Sequence, residues 1–244
     1  MFAGPNGSGK TTLAEAVEKK SIPLGVFVNA DNIEKELRGK GAFSLNTFSF
    51  ESDTKTLQSF IQDDGMTPKI LKTTDIHLSF SISDNHIQFS GEYNSYIAAD
   101  IASFARHQLL LKGKSFSFET VFSHESKLEF LEKAKAQGYK IYFYFLATDD
   151  PAININRVKI RVAQHGHFVP DEKVVKRYYR SLDLLLDAVR KSKRAYLFDS
   201  SGVGYELIAE ITDGKKVKME VKSEKVPNWF IDNLYRKQEG HMRC

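Results

Sequence analysis

The first dozen residues contain the feature that most constrains what this chain can fold into. Residues 4–12 read Gly-Pro-Asn-Gly-Ser-Gly-Lys-Thr-Thr and satisfy the pattern G-x-x-x-x-G-K-[ST] of a phosphate-binding loop. Glycine is needed in such a loop because the backbone must approach the phosphate oxygens in conformations that a Cβ forbids. Successive backbone N–H groups and the N-terminus of the following helix then face the anion. The pattern predicts a nucleotide site near the start of an α/β domain.

The residues of this loop have separable roles. Lys10 is expected to bridge the β and γ phosphates of a nucleotide, and the hydroxyl of Thr11 to ligate Mg²⁺. The alternative is a glycine-rich turn that precedes a helix by chance, but a helix with one apolar face is predicted over residues 11–19 and favours the phosphate loop. The predicted nucleotide-binding residues are Gly4, Asn6, Gly7, Ser8, Gly9, Lys10, Thr11 and Thr12.

Composition and length are typical of a globular α/β protein. Of the 244 residues, 41% are apolar and 27% are charged. No apolar run approaches the ~20 residues that span a bilayer, and no leader-like stretch is visible, so we expect a cytoplasmic protein without a membrane partner. The one cysteine, Cys244, excludes disulfides and thiolate metal sites within the sequence. A net charge of +4 does not by itself indicate nucleic-acid binding.

Strands and helices alternate along most of the sequence. Short apolar runs predict strands at residues 25–29, 115–118, 139–146 and 195–198. Helical periodicity predicts helices at residues 32–38, 93–112, 123–137, 151–164 and 171–191. This alternation predicts an α/β fold of the P-loop NTPase type, with a mostly parallel sheet flanked by helices. Since ligands bind beyond the carboxyl ends of such strands, the polar residues that close them become site candidates: Gly4, Asp31, Glu119, Thr120 and Asp199.

Two segments depart from the alternation. Residues 40–91 are predicted to form an insertion, in which alternating residues 76–82 lead through a polar turn to residues 87–89 and indicate a β-hairpin. Residues 203–240 are predicted to form a C-terminal extension, with a hairpin of residues 205–211 and 217–221 across Asp213-Gly214 and a helix at 227–237. We expect a single P-loop kinase domain over residues 1–244 that carries both. Three residues precede Gly4, so the first strand is expected to be short or trimmed.

Two carboxylates are candidates for chemistry at the strand ends. Asp31 could accept the proton of an acceptor hydroxyl that faces the γ-phosphate, but residues 31–34 also fit a capping box for the next helix. Glu119 could hold a substrate hydroxyl or organise Mg²⁺ through water, or it could cap the helix predicted near Ser123. The sequence leaves both pairs of alternatives open.

Two arginines are candidates for a lid. Arg157 and Arg161 are four residues apart on one predicted helix and share a face. Phosphoryl transfer uses cations that arrive when a mobile lid closes, although a solvated basic face is the alternative. His165 and His167 in the adjoining loop are interpreted as loop residues, because no further histidine or cysteine cluster accompanies them.

Taken together, these segments resemble the zeta toxin family of P-loop kinases, particularly its small stand-alone branch. The resemblance covers residues 1 to about 202 outside the insertion. The matching segments are residues 4–12, Val-Asn-Ala-Asp at 28–31, Phe-Ser-Phe-Glu-Thr at 116–120, residues 134–139, Arg157 with Arg161, Gly-His-Phe-Val-Pro at 166–170, residues 177–181 and Leu-Phe-Asp-Ser at 197–200.

The resemblance implies an ATP- and Mg²⁺-dependent kinase that phosphorylates a hydroxyl of a small molecule. In well-known members the acceptor is the sugar of UDP-N-acetylglucosamine, and a small antitoxin protein blocks the ATP site. The implied roles are phosphate and Mg²⁺ contacts for Lys10 and Thr11, general base for Asp31, substrate contacts for Glu119 and Thr120, and lid arginines for Arg157 and Arg161. The chain departs from the family at residues 121–124 and 40–91, so the acceptor is the least determined part.

A function of another class also fits the sequence. The chain could be a nucleotide-dependent switch that recruits a partner through the insertion or the hairpin without transferring phosphate. A switch needs no general base, so Asp31 discriminates between the two hypotheses. A transporter-type ATPase is disfavoured because no Leu-Ser-Gly-Gly-Gln-like signature is present, and a nucleic-acid kinase because no continuous basic stripe lies outside the lid.

Overall fold

The computed structural model describes residues 1–67, 79–90, 95–164, 168–212 and 218–237. The strands are β1 (Phe2–Ala3), β2 (Val26–Val28), β3 (Ala42–Ser44), β4 (Ser79–Ser83), β5 (His86–Ser90), β6 (Phe116–Thr120), β7 (Tyr142–Ala147), β8 (Arg194–Asp199), β9 (Glu206–Thr212) and β10 (Lys218–Val221). The helices are α1 (Lys10–Lys19), α2 (Ala30–Lys40), α3 (Thr54–Asp64), α4 (Ser95–Leu111), α5 (Ser126–Ala136), α6 (Pro151–Ala163), α7 (Asp171–Asp183), α8 (Leu185–Lys191) and α9 (Asn228–Phe230). A 3₁₀ turn lies at Leu45–Phe48, and α9 continues as a π-type turn over Ile231–Tyr235.

The chain forms two compact units. The first consists of Met1–Ile22 and Glu119–Cys244, and the second of Pro23–Phe118. Within the described ranges, no helix is both long enough and apolar enough to cross a membrane.

The first unit is built on a mostly parallel sheet, as the alternation predicted. Its strands follow the order β10-β9-β8-β7-β1 and then the end of β6. The strands β6, β1, β7 and β8 run parallel, while β9 and β10 are antiparallel. Although β1 has only two residues, Phe2 pairs with Glu119 on one side and Tyr144 on the other. The phosphate loop therefore leaves a short strand that is held between two neighbours.

The second unit contains a second, antiparallel sheet that the sequence predicted only in part. The hairpin of β4 and β5 is confirmed, with Asp84 and Asn85 both in the left-handed conformation that a tight turn requires. Residues 76–78 lie outside the described ranges. Strand β3 adds to the other edge of β5, and helix α3 follows. These two elements were missed because β3 has three residues and α3 buries only Leu57 and Ile61.

The start of α2 corrects the capping-box interpretation of Asp31. The helix begins at Ala30, and its N-cap is Asn29, whose side chain accepts the backbone N–H of Asp31 at 2.8 Å. Asp31 is therefore in the first turn of the helix and does not cap it. Asn29 therefore satisfies the N–H of Asp31, whereas a cap at Asp31 would have satisfied an N–H two or three residues after it.

Other boundaries also differ from the prediction. β6 continues to Thr120, so Glu119 and Thr120 belong to the strand. α5 begins at Ser126 because Phe122, buried in the core, takes a left-handed turn with φ 57°. The long helix predicted over 171–191 is two helices that meet at Leu184, since the buried residues shift from Ser181 and Leu182 to the next run.

The C-terminal extension agrees with its prediction in the described residues. β9 and β10 pair antiparallel, and the predicted turn at Asp213-Gly214 lies outside those residues. The helix expected at 227–237 begins at Asn228. The predicted loop residues 165–167, between α6 and α7, are likewise not among the described residues.

Candidate nucleotide site

The loop after β1 has the backbone conformation that its glycines predicted. Gly4, Gly7 and Gly9 have φ values of 142°, 74° and 91°. A Cβ on Gly4 would lie 2.0 Å from the carbonyl oxygen of Leu146, and one on Gly7 would lie 2.7 Å from that of Asn154. Since no real Cβ tolerates such distances, these two glycines are required for the loop to pack on the end of β7 and on α6.

Lys10 and Thr11 open helix α1 beside the loop. The ammonium of Lys10 donates to the carbonyl oxygen of Pro5 at 2.8 Å, so its side chain folds back over the loop. The hydroxyl of Thr11 donates to Oε2 of Glu119 at 3.0 Å. Thr12 is exposed in the same turn. The loop, the lysine and two hard oxygen ligands therefore lie in one place.

Glu119 reaches this position because of the register of the sheet. Its partner in β1 is Phe2, two residues before the loop begins. The alternative role as a helix cap does not apply, since the residue at the N-cap of α5 is Glu125. Thr120, the other predicted substrate contact, uses its Oγ1 to accept the N–H of Phe122 at 3.1 Å, which supports the turn after β6.

Arg157 lies beside the phosphate loop, whereas Arg161 is one turn farther along α6. The Arg157 guanidinium donates to the carbonyl oxygen of Gly202 at 2.9 Å and lies 3.4 Å from Oγ of Ser200. Ser200 in turn donates to the carbonyl oxygen of Ser8 at 2.9 Å. The residue that follows β8 thus links this arginine to the loop. The sequence predicted the arginine but not the serine link.

A buried chain of polar groups connects helices α6 and α7 to the loop. The Asn154 amide donates to the carbonyl oxygen of Asn6 at 2.7 Å and is bonded through Oδ1 to the hydroxyl of Thr148. The Tyr178 hydroxyl on α7 donates to the carbonyl oxygen of Thr148 at 2.6 Å. Asn154 and Thr148 are completely buried. Burial first, and then the nearby Asp149, raise the pKa of Tyr178, which keeps the phenol a hydrogen-bond donor.

Sequence reasoning missed this chain, and it did not place Arg177 at the loop. Asn154 and Val158 are the two buried residues of α6, so an asparagine on the apolar face of a helix was the available signal. Arg177 on α7 lies 3.3 Å from Oδ1 of Asn6. Its place at the loop depends on how α6 and α7 pack, which local sequence does not show.

Asp199, a candidate at the end of β8, has a structural role. Its Oδ1 accepts the indole N–H of Trp229 at 2.9 Å, and its Oδ2 accepts the backbone N–H of Ser201 at 2.9 Å. Asp149, which follows β7, accepts the backbone N–H of Trp229 at 3.2 Å and the side-chain amide of Asn228 at 3.1 Å. Within the first unit, the two carboxylates hold the C-terminal helical segment to the ends of β7 and β8.

Asp31, the predicted general base, belongs to the second unit. It is exposed in the first turn of α2. Within the described residues, which do not include His165 and His167, no group of three or more histidine, cysteine or acidic residues could hold a metal ion. A Mg²⁺ ion that arrives with a nucleotide needs only one or two protein oxygens, because phosphates and water supply the others.

Comparisons with known proteins relate the chain to others mainly by structure. No family model matches the sequence. An uncharacterized protein of Haemophilus influenzae is 27% identical over 127 residues, which are 52% of this chain and 85% of that protein.

Solved structures align over most of the chain at low identity. A chain of the AvrRxo1-ORF1:AvrRxo1-ORF2 complex with sulphate ions aligns at a TM-score of 0.54 and 15% identity over 91% of this chain, which spans 60% of the length of that chain. A chain from the PezAT chromosomal toxin–antitoxin system of Streptococcus pneumoniae aligns at 0.50 and 12% identity, over 99% of this chain and 85% of the other. The chain shares its mixed α/β fold with these two structures, one of them from a toxin–antitoxin system, in agreement with the fold that the resemblance to the zeta toxin family implied.

Proposed function

We propose that this protein is an ATP-dependent kinase that transfers the γ-phosphate to a hydroxyl group of a small molecule. The observation that carries the proposal is the glycine loop together with the Thr11–Glu119 pair, 3.0 Å between the oxygens, and Arg157 beside Ser200. A nucleotide-binding turn needs backbone donors, a mobile cation and a metal-ligating hydroxyl. All three lie within the first unit.

The loop residues fit ATP and Mg²⁺. The positions of Gly4 and Gly7 leave the loop backbone open where a Cβ would collide with neighbouring carbonyl groups. Lys10, bonded to Pro5 at 2.8 Å, would exchange that carbonyl for the β and γ phosphates. Thr11 and Glu119 would hold Mg²⁺, which screens the phosphate charge when bound. The backbone N–H groups at the start of α1 orient the nucleotide.

Four side chains would then act on the transfer. We assign Asp31 as the base that accepts the acceptor's hydroxyl proton and Arg157 and Arg161 as cations for the charge that develops on the transferred group. Thr120 would contact the acceptor beside Glu119. Arg157 already lies next to the loop through Ser200 and Gly202.

The acceptor and the partner are proposed from the resemblance. We propose a UDP-N-acetylsugar as the acceptor, and a small antitoxin protein as the partner that blocks the nucleotide site. Structural similarity to a chain of a chromosomal toxin–antitoxin system supports the second proposal. Such a substrate is made in the cytoplasm, where we expect the protein to act.

The test is direct detection of the phosphorylated acceptor. The protein is incubated with Mg-ATP and UDP-N-acetylglucosamine, and mass spectrometry is used to look for one phosphate added to the sugar nucleotide. Asp31→Ala should abolish the product while ATP affinity stays within about twofold, since a base acts on the transition state only. Asp63→Ala, an exposed aspartate of α3, is the control.

A defined result would replace the kinase with the switch hypothesis. If wild-type protein binds ATP but yields no phosphorylated product from a broad metabolite extract, phosphoryl transfer is excluded as its activity. If Asp31→Ala forms product at the wild-type rate, the assignment of the base is wrong and the reaction stands.

A further inference from the structure

Helix α4 buries two charged residues that differ in their partners. The other buried residues of the helix are apolar, and Asp100 and Arg106 are 3% and 7% exposed. The Asp100 carboxylate accepts the backbone N–H groups of Met66 and Thr67, each at 2.8 Å. In the part of the chain that the structure describes, no hydrogen bond or ion pair reaches the Arg106 guanidinium. Its Cζ lies 5.0 Å from the ring centroid of Phe118.

An arginine in this state is costly for the protein that carries it. Burying a charge without a counter-ion is strongly unfavourable, and a cation–π contact recovers only part of that cost. Burial lowers the pKa of Arg106 to about 10, so the group is still charged at neutral pH. Its planar fork of five N–H donors matches an oxyanion and is not satisfied by an aromatic ring.

Arg106 lies at the level at which strand β2 of the second unit ends. Phe118, on which the guanidinium lies, pairs in register with Val28 of the parallel strand β2. Val28 is the last residue of β2, and Asn29 follows as the cap of α2. Ligands of parallel sheets bind where the strands end in this way. The charge therefore lies at the level of the strands at which a small molecule would enter.

We propose that Arg106 is the anion-binding residue of the second unit and that its ligand is a small molecule with an oxyanion group. A phosphate or a carboxylate would form two parallel N–H···O bonds with the guanidinium. The identification of this molecule with the acceptor rests on the proposed kinase function, so that the acceptor would be anionic. The anion site itself does not depend on that function.

The first test compares the two buried charges in the unliganded protein. Arg106→Met keeps an apolar stem of similar length and removes the unpaired charge, so its Tm should equal or exceed that of the wild type. Asp100→Asn should lower the Tm, because its carboxylate holds two backbone donors. If Arg106→Met loses as much thermal stability as Asp100→Asn, the arginine is structural and the proposal is overturned.

The second test measures anion binding by calorimetry. Protein is saturated with a non-hydrolysable ATP analogue, so that the phosphate loop is filled, and is then titrated with pyrophosphate or with succinate. Wild type should bind at least one of the two anions, Arg106→Lys more weakly by about tenfold because the fork is lost, and Arg106→Met not at all. Pyrophosphate binding assigns a phosphate ligand, and succinate binding a carboxylate ligand.

Equal titrations of wild type and Arg106→Met with both anions would overturn the proposed anion site.

The kinase proposal and the anion-site proposal can be rejected independently of each other. If the wild-type protein forms no product in the kinase assay but still binds an anion through Arg106, the kinase proposal is rejected and the anion site stands. Phosphorylation of acceptors at the wild-type rate by Arg106→Met rejects the site as the acceptor's anchor and keeps the kinase.

Discussion

The buried polar side chains that support the phosphate loop of the first unit differ in their partners from the buried Arg106 of the second. In the first unit Asn154, Thr148 and Ser200 are buried, and each is bonded to the phosphate loop or to a residue that holds it. In the second unit Arg106 is buried on an aromatic ring without such a bond among the described residues. Under the two proposals, this difference corresponds to a nucleotide loop whose shape is set before the ligand arrives and to an arginine whose charge is compensated by its ligand.

The largest effect is expected from adding a side chain at Gly4 of the phosphate loop. Gly4→Ala places a Cβ 2.0 Å from the Leu146 carbonyl oxygen at a φ of 142°, so the loop cannot keep its path. We expect ATP affinity, measured by calorimetry, to fall by at least about 100-fold, as for a site displaced by an ångström.

The control for this variant is Gly39→Ala, because a Cβ at residue 39 meets nothing within 4 Å and the position is inside α2. It should bind ATP like the wild type and be slightly more stable. ATP affinity unchanged in Gly4→Ala would mean that the loop is not pre-shaped, and the comparison of the two units would fail.

The next effect concerns the lid cation. Arg157→Ala should lower kcat by about 10²- to 10³-fold with a modest change in KM for ATP, because its charge is needed mainly in the transition state. Steady-state kinetics with the acceptor measure the split. Lys159→Ala on the same helix removes a charge that is paired with Asp171 at the surface and should leave kcat unchanged. Wild-type turnover in Arg157→Ala would favour the alternative interpretation, in which the residue belongs to a solvated basic face.

A smaller effect is expected from the buried chain behind the loop. Asn154→Leu leaves the Asn6 carbonyl and the Thr148 hydroxyl without their partner, which should lower the free energy of unfolding by about 1–3 kcal/mol. Urea unfolding measures that loss, and KM for ATP should rise because the loop loses its support. Asn156→Leu changes an exposed position of the same helix and should do neither. A stable variant with unchanged KM would show that the first unit's loop does not depend on buried contacts.

The smallest effect belongs to the second unit and depends on pH. Asp53 is the N-cap of α3, and the backbone N–H of Thr56, followed by its hydroxyl, lowers the pKa of this carboxyl. Because the folded-state pKa is below the unfolded value, its stabilisation is present above that value of 3.8 and disappears as the pH falls through the folded pKa. Asp53→Ala should therefore lower Tm slightly at pH 7 and by less as the pH falls below 3.8, whereas Asp53→Ser should resemble the wild type. A Tm difference that does not shrink as the pH falls would contradict the charge-dependent part of this stabilisation.

The sequence predicted the features whose requirements are local. The glycines at residues 4, 7 and 9 follow from what a phosphate loop must do, and in the structure all three have positive φ values. The parallel strands were predicted because buried apolar runs are visible without knowledge of their partners. Asn29, which caps α2 two residues before Asp31, was missed because both residue types cap helices equally well.

The remaining features depend on contacts between distant parts of the chain. Glu119 meets Thr11 only because β6 pairs with β1 in one register. Asn154 and Ser200 reach the loop from α6 and from the end of β8, and no local pattern indicates either. Arg106 could have been singled out as a charge on the buried face of a helix, although its position over the ring of Phe118 becomes visible only in three dimensions.

The anchor of the C-terminal segment has a practical consequence. Trp229 is the single tryptophan of the chain, it is 3% exposed, and its indole N–H donates to Asp199. Ser200, which follows Asp199 in the sequence, contacts both the phosphate loop and Arg157. The intrinsic fluorescence of Trp229 is therefore expected to depend on the end of β8. It could be used to follow nucleotide binding without attaching a label to the protein.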